Sequence, residues 1–214
     1  MKQTRPKIIF AKRLLDIVLS SFILIITLPF SATALFLIKI VQILDGGLFH
    51  PLFYKETRMS HGVPFTLYKF NIFKHRMILE AKARGEFIHT KYFEKNGGVT
   101  VVGWVLKQIY MDELPQFFNV LKGDLSIVGP RPVNLEVYQN LMDNGHFAKN
   151  QVRAGITGRY QSMKNLTETT KITDRDMDQE YADYYHHHNW YQVLWFDLTI
   201  MFQTVAVIFK ARGI

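Results

Sequence analysis

The sequence predicts an α+β protein: a small, mostly helical domain with short strands, carried on an N-terminal membrane helix. Three observations predict it. Residues 17–38 form an uncharged run close to the start of the chain. Two aromatic-rich pieces with partial alternation, "LFYK" and "PFTLYKFNIF", follow the turn signal "DGG" at 45–47. Beyond them, apolar segments of helical length alternate with glycine, proline and asparagine breaks.

At the N-terminus, Lys2, Arg5, Lys7, Lys12 and Arg13 precede the first acid, Asp16. The uncharged run that follows would measure roughly 33 Å as one straight helix, about one bilayer core. It is too long for the apolar part of a signal peptide, and no small-residue cleavage site follows it. A buried core helix would show a polar stripe. Membrane insertion fits best. Pro29, near the middle, removes a backbone hydrogen bond, and Thr27, Ser31 and Thr33 stand near enough to satisfy the groups it frees. Basic residues flank the run on both sides, with Lys39 beyond it, and basic flanks favour the cytoplasmic face. A proline-broken re-entrant helix, entering and leaving by one leaflet, satisfies both. The expected division is a basic N-terminus with this helix over 1–44 and a cytoplasmic domain over 45–214.

Further along, the polar segment 74–98, with "EAKARGE" and "KNGG", reads as a surface excursion. "GGVTVVGWVLKQI" reads as a strand running into a helix. Residues 112–121, "DELPQFFNVL", read as a helix with Asp112 at its N-cap or first turn, Pro115 inside that turn and Gly123 at its end. "VNLEVYQNLMDN" reads as another helix. "NWYQVLWFDLTIMFQTVAVIFKARG" is apolar and aromatic, interrupted by Asp197. Its tryptophans and its basic end, Lys210 and Arg212, suit a helix lying in the membrane interface; a core helix is the alternative.

The chain has 214 residues and no cysteine, which excludes disulfides and thiolate metal sites. A formal net charge of +8 and a pI near 9.6 suggest an anionic partner: nucleic acid, an acidic membrane surface or a phosphorylated substrate. The aromatic content of 14% would also suit nucleic-acid stacking, but membrane-interface and core use explain it better, so no nucleic-acid partner is expected.

The candidate site is "YMDELPQFFNVLKGDLSIVGPRP" at 110–132. Asp112 and Glu113 alone are what many surface helices carry at their start, where acids complement the helix dipole. Their surroundings change that weight. Adjacent carboxylates in a helical turn diverge by about 100°. One can face a substrate while the other holds Mg²⁺, which prefers one or two carboxylates plus substrate phosphates. A carboxylate can also act as a covalent nucleophile on phosphorus. Arg131 lies between two prolines, so its backbone is stiff and its guanidinium fork is available to phosphate oxygens. The combination suits phosphoryl transfer.

This stretch resembles the signature of the bacterial sugar transferase family, the monotopic phosphoglycosyl transferases. Further blocks resemble the family in its order: "KRLLDIVLSSFILIITLPF" at 12–30, "PFTLYKF" at 64–70, "VRAGITGRYQ" at 152–161 and "FDLTIMFQTVAVIFKARG" at 196–213. Together they cover nearly the whole chain. The resemblance implies transfer of a sugar 1-phosphate from a UDP-sugar to a membrane polyprenyl (undecaprenyl) phosphate, with release of UMP and an aspartyl-phosphosugar intermediate. It implies Mg²⁺ and a monotopic location on the cytoplasmic face of the bacterial inner membrane, among its lipids, with downstream glycosyltransferases as possible partners. By position, Asp112 is the implied nucleophile and Glu113 the implied metal ligand. Arg131, Lys69 and Lys107 would contact phosphate or shape the site, and Arg153, Gln161 and Asp183 match further family positions more loosely.

Several positions depart from the family. Lys107 replaces an arginine, which keeps the charge but loses the fork. Tyr110 and Met111 replace Ser-Leu. "KFNIFK" lacks a second basic group directly after Lys69, with Lys74 as a substitute. "RMSHG" at 58–62 lacks an early glycine, Ala154 replaces a proline, and "SMKN" at 162–165 replaces Val-Asn-Gly-Arg. These departures point to an unusual donor sugar rather than to lost chemistry. Consecutive histidines, His186 to His188, do not share a helix face and read as a solvated stretch. The alternative readings are a catalytically inactive membrane scaffold of a glycan-assembly complex and, on charge alone, a membrane-anchored nucleic-acid binder.

Overall fold

The computed structural model describes residues 9–83, 90–163 and 172–210. Lys2, Arg5, Lys7, the last three residues of "EAKARGE" and Arg212 lie outside them. The described chain is mixed: helices with a few short strands in two pairs. It divides into two compact units. The first takes in Met1–Ile23, Glu56–Leu67 and Gln116–Arg212; the second takes in Leu24–Lys55 and Tyr68–Pro115, with the last two residues.

Helix α1, Phe10–Leu44, contains Pro29 and continues as helix on both sides of it. The Thr33 hydroxyl donates to the Pro29 carbonyl at 3.0 Å, which is not the carbonyl of Ile25 that the missing proline N–H leaves free. At the start of α1, Lys12, Asp16 and Ser20 recur every four residues and are all buried. Lys12 Nζ donates to Asp197 Oδ2 at 2.6 Å and to the Val128 carbonyl at 3.0 Å. Asp16 accepts from the Ser126 hydroxyl at 2.8 Å and from the Ile127 N–H at 3.0 Å. The stretch after them carries bare apolar groups: Phe22, Ile25, Leu28, Phe30 and Phe36 are each more than half exposed.

In the first unit, α5 (Gln116–Lys122) ends at Gly123, whose φ of +92° is the left-handed turn that favours glycine. Strand β3 (Ser126–Val128) pairs in parallel with β4 (Gly155–Thr157), Ser126 opposite Gly155 and Val128 opposite Thr157. A Cβ on Gly155 would run into the Gly129 N–H and the Thr157 carbonyl, so the backbones meet where only glycine fits. Helices α6 (Leu135–Asp143), α7 (Ala148–Gln151) and α8 (Arg159–Ser162) flank this pair in sequence. Helix α9, Asp174–His187, opens on a capping box: the Thr173 hydroxyl and the Asp176 carboxylate each accept the other residue's backbone N–H. Helix α10 spans Trp190–Lys210. Tyr181, Val193 and Ile200 of these two helices fill the core with Val120, Leu125 and Val128.

In the second unit, Phe70, Ile72, Phe73, Phe93 and Leu106 pack with Ala34 and Ile38. Strands β1 (Phe53–Ser60) and β2 (Val63–Phe70) form a hairpin closed by His61 and Gly62, both at positive φ, with residues in both units. Helices α2 (His75–Ala83) and α3 (Thr90–Lys95) replace most of the expected surface excursion. Phe93 is fully buried and ties the segment down, while most of its other described residues stay exposed or half-exposed. Before α4 (Val101–Gln108), the expected strand shrinks to a single bridge between Phe73 and Val99. The Thr100 hydroxyl caps α4 by accepting the Gly103 N–H and so ends that extended stretch.

Both α1 and the stretch 190–208 of α10 are long and apolar enough to cross a membrane.

Candidate active site

The acidic pair does not open an α-helix. It forms its own 3₁₀ turn, Met111–Glu113, and α5 starts three residues later. Pro115 explains the difference. An α-helix from residue 111 would need the N–H of residue 115 to reach the Met111 carbonyl, and proline has none. Leu114 N–H takes that carbonyl instead, at 3.2 Å, and Glu113 N–H takes Tyr110 O at 3.3 Å. Tyr110 supplies the reversal with φ of +56°.

The turn faces its two acids differently. Asp112 is buried, 7% exposed, whereas the Glu113 side chain keeps 20% and reaches Lys69 Nζ on β2 at 2.8 Å. Burial pushes the Asp112 carboxyl up to about 6; the Glu113 charge adds to this, and Lys69 and Lys107 oppose it. Lys107, in the last turn of α4, pairs with Glu94 at 2.7 Å. Asp112, Glu113 and Lys69 therefore come together in the second unit with Lys107 within electrostatic reach.

The remaining expected residues belong to the first unit, each in a different setting. Arg131 follows β3 and has an exposed side chain on a tightly held backbone. Gly129 N–H donates to Thr157 O, Gly155 N–H to Pro130 O and Lys149 Nζ to Arg131 O, all at 2.9 Å, and Val133 bridges to Met59. Lys149 is itself held by Asp178 at 2.6 Å. Arg153 is half-buried, and burial, with repulsion from Arg13, lowers its pKa. Gln161 has a buried Nε2 with no hydrogen-bond partner among the described residues. Asp183 is exposed and accepts from Gln179 at 2.8 Å. His187 and His188 turn a ring nitrogen to the carbonyls of Asp183 and Tyr184 at the end of α9, and the described residues contain no cluster of three or more metal-type ligands.

Sequence reasoning used Lys12 and Arg13 only as flanking charge, and it missed Lys149 and Asp178 entirely. The pairs join residues 185 and 29 positions apart, so no local spacing betrays them.

Chemically, a buried carboxylate of raised pKa beside an ion pair can act on an electrophile in a polar cleft. Two adjacent carboxylates suit Mg²⁺ when substrate phosphates complete its shell, although Glu113 must then share its charge between the ion and Lys69.

A family model described as "Bacterial sugar transferase" matches residues 7–211. The chain is 35% identical to an undecaprenyl-phosphate galactose phosphotransferase of Salmonella typhimurium, across 95% of this chain and 41% of that protein. It is 35% identical to the uncharacterised sugar transferase EpsL of Bacillus subtilis, across 95% of this chain and 89% of the relative. It is 33% identical to a UDP-glucose:undecaprenyl-phosphate glucose-1-phosphate transferase of Escherichia coli, across 91% of this chain and 39% of the relative. The chain thus spans well under half of two of these relatives and most of the third.

Proposed function

Because this chain belongs to the bacterial sugar transferase family, we propose that it transfers a sugar 1-phosphate from a UDP-sugar to polyprenyl phosphate in the membrane. The observation that carries the reading is Asp112, a buried carboxylate of raised pKa one residue from the Lys69–Glu113 pair.

In this reading, an Asp112 oxygen attacks the phosphorus next to the sugar. The bond from that phosphorus to the oxygen of the UMP phosphate breaks, and UMP leaves with the bonding electrons. A phosphosugar then rests on the carboxylate as an acyl phosphate. A phosphate oxygen of polyprenyl phosphate attacks the same phosphorus, and the Asp112 carboxylate leaves unchanged. The product is a polyprenyl-diphosphate-linked sugar, the first membrane step of glycoconjugate assembly, ready for downstream glycosyltransferases. Lys69 and Lys107 reduce the repulsion between the anionic nucleophile and the anionic donor. The exposed Arg131 fork, on its pinned backbone, suits phosphate oxygens. Glu113 would hold Mg²⁺, which when bound supplies charge neutralisation to the diphosphate.

The test is UMP release from a panel of UDP-sugars with undecaprenyl phosphate and Mg²⁺. Asp112→Asn lowers it by more than about 10³-fold, and a sugar-phosphate adduct on the wild type is lost in the variant by intact-protein mass spectrometry. If no donor releases UMP, the scaffold reading replaces this one.

The acceptor remains in the bilayer, so the domain belongs at the cytoplasmic face of the inner membrane. A straight α1 of 35 residues would extend about 52 Å, well beyond a hydrocarbon core of about 30 Å. Near its two ends, Lys12 and Gln42 are buried and hydrogen-bonded to protein groups, while its middle is apolar and bare. A helix bent at Pro29, returning to the leaflet it entered, keeps both ends in water. Cysteines at positions 3 and 49, probed with an impermeant thiol reagent on intact cells, should both stay unlabelled. Labelling of one alone would mean that α1 crosses.

A further inference from the structure

The first unit contains a basic pocket that the reaction above does not use. Its walls include Lys12, Arg13 and Asp16 on one face of α1, His61 at the hairpin tip, Arg153 just before β4 and Tyr185 on α9. Most of these groups are already committed. Lys12 is bound to Asp197 and Val128 O. Arg13 donates to the Val120 and Leu121 carbonyls at the end of α5, Asp16 accepts from Ser126 and Ile127, and His61 Nε2 meets Gln151 O at 3.2 Å. The Tyr185 hydroxyl accepts from the Ile9 N–H.

Arg153 differs. Its half-buried guanidinium makes no hydrogen bond or ion-pair contact among the described residues; Arg13 repels it, and Asp16, Tyr185 and Asp124 attract it only from a distance. Lys12 is neutralised by Asp197, so the two guanidiniums of Arg13 and Arg153 face the one carboxylate of Asp16, an excess of one positive charge. Two guanidiniums that share one already hydrogen-bonded carboxylate leave a partly buried charge that a bound anion would neutralise. A guanidinium fork is the side chain best matched to phosphate oxygens.

The position of the pocket selects the source of that phosphate. Ile9 precedes α1 and Lys12, Arg13 and Asp16 occupy its first two turns, in which Phe10 and Leu14 point outward, 79% and 52% exposed. Ile17 and Val18 then begin the bare apolar stretch. In sequence, Lys2, Arg5 and Lys7 immediately precede. A cationic pocket where a bare apolar helix begins lies at the depth of lipid phosphates.

We propose that Arg153, with Arg13 beside it, forms a binding site for the phosphate of an anionic bilayer lipid headgroup at the N-terminal end of α1. The site rests on the membrane placement given above but not on the transfer chemistry. Bound there, the lipid phosphate neutralises Arg153 and fixes the depth at which α1 enters the leaflet.

The test is the thermal unfolding of the full chain in an uncharged detergent, titrated with dioctanoyl-phosphatidylglycerol, dioctanoyl-phosphatidylcholine or inorganic phosphate. The glycerol lipid should raise the Tm by roughly 5 °C near saturation. The choline lipid should give little, and inorganic phosphate should act only at far higher concentration. Arg153→Gln should abolish the shift and Arg153→Lys should reduce it, with the lipid-free Tm of Arg153→Lys close to the wild type. Asp112→Asn should keep the full shift, so a failure of the transferase reading leaves this result standing. Equal potency of inorganic phosphate, an unchanged shift in Arg153→Gln or a wild type that does not respond to the glycerol lipid would each overturn the proposal. Should Arg153→Gln fail to fold, an undiminished shift in Arg153→Lys together with Arg13→Lys would overturn it as well.

Discussion

At the residue scale, Asp112 ties stability to pH. Its carboxyl is held near 6 in the folded protein by burial, against an ordinary value of 3.8. Folding therefore favours the protonated form. That contribution is fully present below about pH 4 and is lost as the pH rises through 6. In metal-free protein at pH 8, Asp112→Asn should be more stable than wild type by on the order of 3 kcal/mol, and the gap should close below pH 4. Chemical denaturation at both pH values checks this. Lys69 pulls the other way: Lys69→Met should move Asp112 ionisation above its wild-type position in a metal-free carboxyl NMR titration. Lys149 acts on the Arg131 loop. Lys149→Met leaves Asp178 buried and unpaired, at a cost of about 3–5 kcal/mol, whereas Lys149→Met with Asp178→Leu should regain most of the stability while UMP release stays low. Recovery of activity along with stability would show that the pin on the Arg131 carbonyl is unimportant.

At the level of elements, the acidic turn depends on a left-handed residue. Tyr110 occupies φ of +56°, a region that asparagine tolerates and a β-branched side chain does not. Tyr110→Asn should keep measurable UMP release, and Tyr110→Val should lose at least about tenfold more. The hairpin, α6, the end of α5 at Gly123 and the long C-terminal helix were legible in the sequence, because alternation, apolar periodicity and a terminal glycine are local signals. The split of residues 112–121 was not legible, since Pro115 is acceptable in the first turn of a helix capped at Asp112, whose first required N–H is that of Gln116. Helix α9 was not recognised. Its buried Met177, Tyr181, Ala182 and Tyr185 keep helical spacing, but acids and histidines dominate its composition, and only Thr173 with Asp176 marks its start. The surface reading of 74–98 holds for most of its described residues, but its two helices and the buried Phe93 were not read, because an average over polar neighbours hides one phenylalanine.

For the whole molecule, charge and apolar surface make separable contributions to membrane attachment. The net charge of +8 draws the chain to anionic lipid, an attraction that about 1 M salt screens within roughly 3 Å. The bare apolar surface of α1 does not respond to salt in that way. A 1 M salt wash of membranes should therefore leave the protein in the pellet and mild detergent should release it, as immunoblotting of the fractions will show. Release by salt alone would mean that α1 is not inserted. The parts of the candidate site were legible one at a time: Asp112, Glu113 and Lys69 by motif, Arg131 by its prolines. Their support was not, because Lys12 with Asp197 and Lys149 with Asp178 are joined only by the fold.

The Lys12–Asp197 contact has a consequence for how the chain is made. A ribosome finishes α1 long before it reaches residue 197, and until then the lysine has no carboxylate to meet at the foot of the anchor. The anchor can reach the membrane early, but its seating in the domain has to wait for α10. A nascent chain stopped before α10 would hold α1 without its clasp, so the making of α10 reports on the seating of α1.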